Sequence, residues 1–209
     1  MCFKQQKGRD NRVQRSIILA SGSPRRKELL KEICTDFSII TSEFDEMIFP
    51  GESPEEVVKR LSMGKALDVW DCTKGDRVVI GADTVVALDG EIMGKPADAA
   101  DARRMLKKLS GNRHQVCTGV AVLWDDRKES FVSVSQVEFY PLTDGEIDRY
   151  IASGEPFGKA GAYAIQLGGK LLVREIQGDY SNIVGLPLAE LYRRMLGWGL
   201  LEFGATEKL

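Results

Sequence analysis

Histidine is almost missing from this sequence: His114 is the only one in 209 residues. That excludes a multi-histidine metal centre and leaves no independent sign of a nucleophile–histidine triad, so His114 is expected to be a hydrogen-bonding residue at a strand end. Cysteine is sparse as well. Cys2, Cys34, Cys72 and Cys117 are widely separated, with no CxxC pair and none of the density of a disulfide scaffold, a pattern expected of reduced thiols in a cytoplasmic protein. No stretch approaches the ~18 uninterrupted apolar residues of a membrane span, and the opening MCFKQQKGRDNRVQRS lacks the apolar core of a secretory signal. Charge of one sign is lacking too: 29 Lys and Arg against 31 Asp and Glu leave a formal net charge of −2. A stable nucleic-acid complex is therefore not expected, and any polyanion must be met by a local cluster. Gly90 to Pro96 (GEIMGKP) is too short for a P-loop and ends in Pro where that loop needs a hydroxyl, and no dinucleotide glycine fingerprint appears.

What is present suits a folded enzyme-sized unit. Hydrophobic residues make up 43% and charged residues 29% of the chain, enough for one large globular domain or two small lobes around a shared cleft. Residues 1–15 read as a polar N-terminal extension and 16–209 as one domain. The apolar run Ser16 to Ala20 leads through Ser-Gly into Ser23-Pro24, so strand, loop and helix follow in order, the helix running to Cys34. A strand is expected over Thr35 to Thr41. Ser53-Pro54-Glu55-Glu56 is a helix start with a cap and an acidic residue three positions later, opening a helix to about Trp70. Arg77 to Leu88 (RVVIGADTVVAL) has the near-continuous apolar composition of a strand buried on both faces. Asp98 caps a helix to Leu109. Strands Gln115 to Trp124 and Glu129 to Tyr140, joined by the charged turn Asp125 to Lys128, form an expected hairpin. A helix over Thr143 to Ser153, short strands near Tyr163 to Gln166 and Lys170 to Ile176, and a helix over Pro187 to Leu196 complete a mixed α/β pattern.

Three segments carry chemistry. In Ala20 to Leu30 (ASGSPRRKELL) small residues turn the chain from a strand into a helix start whose backbone donors lie beside Arg25, Arg26 and Lys27. This outlines a phosphate site, with Gly22 allowing close approach and the Ser21 and Ser23 hydroxyls able to donate; an ordinary Ser-Pro helix cap is the equal alternative. Gly81-Ala82-Asp83-Thr84 places a carboxylate inside an apolar strand, which costs several kcal/mol unless the group is paired or binds a metal. Asp83 is therefore read as a metal ligand or general base. Glu43, Asp45 and Glu46 supply hard oxygen donors for Mg²⁺ or Mn²⁺ just after a strand. Lys95 in Gly94-Lys95-Pro96 reads by itself as part of a surface turn.

Taken in order, ASGSPRRKELL, SEFDE (Ser42 to Glu46), GADTVV, GKP, LSGNRHQVCTGV and GEPFGKAGAYAIQ resemble the motifs of the Maf family over about Ile17 to Met195. The resemblance implies a mixed twisted sheet with flanking helices and two lobes around a central cleft, related to the inosine triphosphate pyrophosphatases. It implies hydrolysis of a nucleoside triphosphate between the α- and β-phosphates with a divalent metal cation, and the AGAYAIQ segment is similar to the dTTP/UTP branch. Carried over position by position, Asp83 is the proton acceptor and, with Glu43, a metal ligand. Arg25, Thr84 and Gln166 set substrate choice, Gln166 presenting a donor and an acceptor to the O4/N3 edge of uracil or thymine. Ser21, Ser23, Arg26, Lys65 and Lys95 match further cleft positions, and a homodimer is implied. Gly158 departs from the family pattern, which has Asp there. The other readings kept open are a 7-methyl-GTP or inosine-type nucleotide as substrate, and a nucleotide-sensing protein linked to septum formation.

Overall fold

The computed structural model describes residues 15–202, so residues 1–14 of the expected extension, Cys2 among them, lie outside the described residues. The chain runs through β1 (Ser16–Ala20), α1 (Pro24–Lys31), β2 (Phe37–Ile39), α2 (Pro54–Cys72), β3 (Arg77–Leu88), β4 (Glu91–Met93) and α3 (Ala99–Leu109). It continues through β5 (Arg113–Trp124), β6 (Arg127–Phe139), α4 (Asp144–Ala152), β7 (Val173–Gln177), α5 (Tyr180–Val184) and α6 (Leu188–Gly197). Among the described residues seven strands form one mixed sheet in the order β2-β1-β3-β5-β6-β7, with β4 added to β3. The β2-β1-β3 portion is parallel and the remainder antiparallel.

Strand alternation divides the core. Ile17 and Leu19 of β1, with Val78, Ile80 and Ala82 of β3, pack under α1, α3, α4 and α6. Ile18, Ala20 and Val79 face the other way, against Ala66 and Val69 of α2. Helix α2 starts as its sequence dictates: Ser53 accepts from the Glu56 N–H, the Glu56 carboxylate accepts from the Ser53 N–H, and Pro54 takes the first turn. It lies close on the sheet because Gly81 and Gly119 have no Cβ; one added at either position would collide with the carbonyl oxygen of Ser62 or of Val58.

Four local expectations change. Helix α1 stops at Lys31, and residues 32–34 close as a tightened turn on the Leu29 and Leu30 carbonyls. Thr35 to Thr41 shrinks to the three-residue edge strand β2. The strand expected near Tyr163 to Gln166 is instead a loop between 3-10 turns at Ala160–Ala162 and Gly168–Leu172. There Gly161 turns the chain with φ 66°, and the Ala164 N–H donates to the Tyr150 hydroxyl at 3.0 Å rather than to a neighbouring strand. β4 and α5 lie where no element was expected; both are too short to show a period.

One topological detail positions the site. β1 pairs with β3 up to Ala20↔Gly81, and β4 takes up the same edge only from Val86↔Met93. Between them residues 82–85 keep β5 on one side and, among the described residues, have no strand on the other.

Candidate functional site

A cavity of about 770 Å³ opens at that gap, between the β1–α1 loop, the connection from β2 to α2, the turn after β4, the 158–167 loop and the end of α5. Alternation sends Asp83 to the α2 face of β3 and Thr84 to the opposite face. The missing neighbour strand lets both reach one cavity, whose lining includes each of them.

On the α2 side the site is ionic. Lys65, one helical turn after Leu61, turns into the sheet and is only 7% exposed. Its Nζ lies 2.6 Å from Asp83 Oδ1 and 2.6 Å from Glu46 Oε1, and Lys95 Nζ reaches Glu46 Oε2 at 3.2 Å. A buried ammonium persists only when it is paired in this way. Burial pushes the Glu46 carboxyl up, but the hydrogen bonds and charges of Lys65 and Lys95 outweigh it and hold the group below the usual carboxylate range. The segment carrying Glu46 has no regular structure and is held by side chains. Asp68 Oδ2 accepts from Ser42 Oγ and from the Glu43 N–H at 2.7 and 2.8 Å, and Arg60 donates to Glu52 and to the Met47 carbonyl. The Phe44 ring fills the space over Gly64.

On the other side Arg26 acts as a strut. Its Nε donates to the Gly185 carbonyl at 2.8 Å, Nη2 to Thr84 Oγ1 at 2.9 Å and Nη1 to Ser21 Oγ at 3.4 Å, joining α1, β3 and the end of α5. Ser23 caps α1, accepting from the Arg26 N–H, and the Ser23 N–H donates to Ser21 Oγ. The two hydroxyls thus hold the loop as helix-cap residues while lining the cavity. Arg25 and Gln166 line the same cavity and make no side-chain hydrogen bond among the described residues. Burial pulls the Arg25 guanidinium down and Tyr150 opposes it. Val86, Val116, Tyr163, Ile183 and Val184 add an apolar wall. An arginine and a side-chain amide beside an apolar wall suit a flat heterocycle with a polar edge, and the lysine-rich end suits phosphate.

Ser21, Ser23, Arg25, Arg26, Lys65, Asp83, Thr84, Lys95 and Gln166 are brought together around this cavity. Glu43 is not: it is exposed and absent from the lining, its backbone N–H held on Asp68. Glu46, a member of the same acidic cluster, points inward in its place. An irregular loop has no period from which the inward carboxylate can be read; the pairing of Glu46 with Lys65 and Lys95 and the anchors at Asp68, Arg60 and Gly64 decide it. Tyr163, Thr118 and Asn182 carry no site signal in the sequence, because each resembles an ordinary core residue. His114 stands apart from the cavity, 1% exposed, with Nε2 2.9 Å from the Tyr163 hydroxyl, and burial takes its pKa down to about 4.

The family model for Maf-like proteins matches residues 16–197. A dTTP/UTP pyrophosphatase of Citrifermentans bemidjiense is 52% identical over 178 residues, spanning 84% of this chain and 92% of that protein. A dTTP/UTP pyrophosphatase of Bacillus cereus strain AH187 is 48% identical over 181 residues, spanning 87% and 94%. Among solved structures the Staphylococcus aureus Ham1 protein shares the fold, with a TM-score of 0.50 at 16% identity, over 88% of this chain and all of its own.

Proposed function

The chain belongs to the Maf-like protein family, and from that premise we propose that it is a nucleoside triphosphate pyrophosphatase hydrolysing dTTP and UTP to the monophosphate and pyrophosphate. The observation that carries this reading is the cavity at the open edge of β3, where a buried lysine–carboxylate cluster lies on one side and Arg25, Thr84 and Gln166 on the other. The two named relatives, each about half identical over nearly their whole length, support the choice of nucleotide.

In this reading the base rests on the apolar wall with its polar edge toward Gln166, and the triphosphate runs toward Lys65 and Lys95. Asp83 accepts a proton from a water whose oxygen attacks the α-phosphorus. The bond from that phosphorus to the bridging oxygen breaks, and pyrophosphate leaves with the electron pair. Lys65 holds Asp83 Oδ1, which leaves Oδ2 for the water. Lys95 offsets the charge of the leaving group.

The residues fit a divalent cation. Asp83 and Glu46 line the same cavity, each with carboxylate lone pairs beyond the one that Lys65 takes, and two carboxylates are the share a protein commonly gives Mg²⁺. Glu46 lines the cavity with Asp83 and Glu43 does not, so Asp83 and Glu46, rather than Glu43, would hold it. Mg²⁺ or Mn²⁺ held there would supply charge neutralisation on the triphosphate and Lewis acidity.

The test is pyrophosphate release from dTTP, UTP, CTP, 7-methyl-GTP and ITP with Mn²⁺, for the protein and for Asp83→Asn. Selective turnover of dTTP and UTP that EDTA stops and the substitution abolishes is expected. Preference for 7-methyl-GTP or ITP would overturn the base assignment, and nucleotide binding without release would make the protein a sensor. Light scattering tests the homodimer implied by resemblance, and cell fractionation tests the cytoplasmic location; no helix among the described residues is long and apolar enough to cross a membrane.

A further inference from the structure

Behind Thr84 runs a row of hydrogen bonds with fixed ends. Arg26 Nη2 donates to Thr84 Oγ1 at 2.9 Å, the Thr84 and Thr118 hydroxyls lie 2.9 Å apart, and Thr118 Oγ1 donates to the main-chain carbonyl of Asn182 at 3.0 Å. A guanidinium can only donate and a carbonyl can only accept. With two hydroxyl protons to place between them, one arrangement closes all three bonds: Thr118 gives its proton to Asn182, and Thr84 gives its proton to Thr118. Such a head-to-tail row strengthens each member.

The frame around it is rigid. Thr84 and Thr118 are directly opposite in the β3–β5 ladder. Thr118 and Asn182 are both fully buried. The Asn182 side-chain amide donates to the Val116 carbonyl at 3.0 Å and to Ser135 Oγ at 2.8 Å, which fixes α5 against β5 and β6. Arg26 is tied to the same turn through Gly185.

We infer that Thr118, which does not itself line the cavity, is a positioning residue that fixes the Thr84 hydroxyl as a hydrogen-bond acceptor toward the base. With its proton committed and one lone pair taken by Arg26, Thr84 has a single lone pair left for the cavity. It shares a sheet face with Val86 and Val116 of the apolar wall, where a base would rest. A lone pair there suits a pyrimidine that carries N–H at ring position 3, uracil or thymine. It disfavours cytosine, which carries a lone pair at that position: to meet it Thr84 must turn its proton outward and leave the buried Thr118 oxygen without its donor. The inference rests on the nucleotide reading of the cavity and deepens it by naming what distinguishes one pyrimidine from another.

The experiment compares kcat/KM for UTP and CTP in the full chain, its Thr118→Val and Thr118→Ser variants, with thermal melting to verify folding. Valine keeps the shape and removes the hydroxyl; serine keeps the hydroxyl. The UTP-over-CTP ratio is expected to fall by about tenfold in Thr118→Val, the scale of one lost hydrogen-bond preference, and to stay at the parent value in Thr118→Ser. A purely structural role for Thr118 would lower both nucleotides together and leave the ratio unchanged. An unchanged ratio in a folded Thr118→Val protein therefore overturns the inference, and Thr118→Ala replaces it if the valine variant does not melt cooperatively. A parent protein that cleaves UTP and CTP equally overturns this inference and leaves the pyrophosphatase reading standing. Release from no nucleotide overturns that reading, and this inference with it.

Discussion

Lys65 and Glu46 are one electrostatic unit. Removing the ammonium by Lys65→Met takes away the hydrogen bond and charge that keep the Glu46 carboxyl below its ordinary range, while the burial that pushes it up remains. The carboxyl then stays protonated to higher pH. The acid limb of the pH–rate profile for UTP is expected to move upward with a large loss in kcat, and an unmoved limb would detach Glu46 from catalysis. His114 gives a second pH prediction, on stability. In the unfolded chain it titrates near 6.5, and in the fold burial lowers it to about 4. Between those values the unfolded state binds the extra proton, so stability is full above the upper value and declines as pH falls through the window, with a slope of at most about 1.4 kcal/mol per pH unit. Because this is the only histidine in the chain, chemical denaturation of His114→Gln should show a shallower decline between pH 6.5 and 4; equal slopes would mean that carboxylates account for all of it.

Two glycines on or under α2 separate fold from site. At Gly81 an added Cβ meets backbone, the Ser62 carbonyl and the Ala66 nitrogen, and a helix backbone has nowhere to yield. Gly81→Ala should cost about 1–3 kcal/mol, the scale of core overpacking, seen as a lower denaturation midpoint. At Gly64 the added atom meets the ring of Phe44, which is 37% exposed and can swing outward. Gly64→Ala should therefore leave the midpoint near that of the parent and instead raise KM for the metal–nucleotide complex, because displacing Phe44 releases the segment that delivers Glu46. A large stability loss with unchanged KM would reverse these assignments.

Several elements enclose the cavity: the start of α1, the open stretch of β3, the 158–167 loop and the end of α5. A nucleotide seated there stabilises the folded state over the unfolded chain by mass action, about 2.7 kcal/mol at a hundredfold excess over Kd. A non-hydrolysable UTP analogue with Mg²⁺ should raise the melting temperature of the whole molecule, and the rise should shrink in Gln166→Ala, whose side chain faces the proposed base edge. A rise of the same size with inorganic triphosphate would place the binding energy in the phosphates alone.

Much of this was legible locally. Apolar runs and caps announced β1, β3, the β5–β6 hairpin and helices α2 and α3, because period and capping chemistry act within a few residues of one another. A carboxylate inside the apolar run of β3 announced Asp83, because burying it unpaired is costly in any fold. Tertiary structure alone decided which partner takes that carboxylate. It also decided that Glu46 rather than Glu43 faces the cavity, that the 163–166 segment is a loop satisfied by Tyr150, and that the two faces of β3 meet in one site. Each of these depends on contacts between segments distant in sequence: Lys65 against Asp83, Phe44 over Gly64, Ala164 on Tyr150, and a strand edge left open where β1 ends before β4 begins. Periodicity and capping record only what neighbouring residues need; which distant group meets that need is set by how the chain packs.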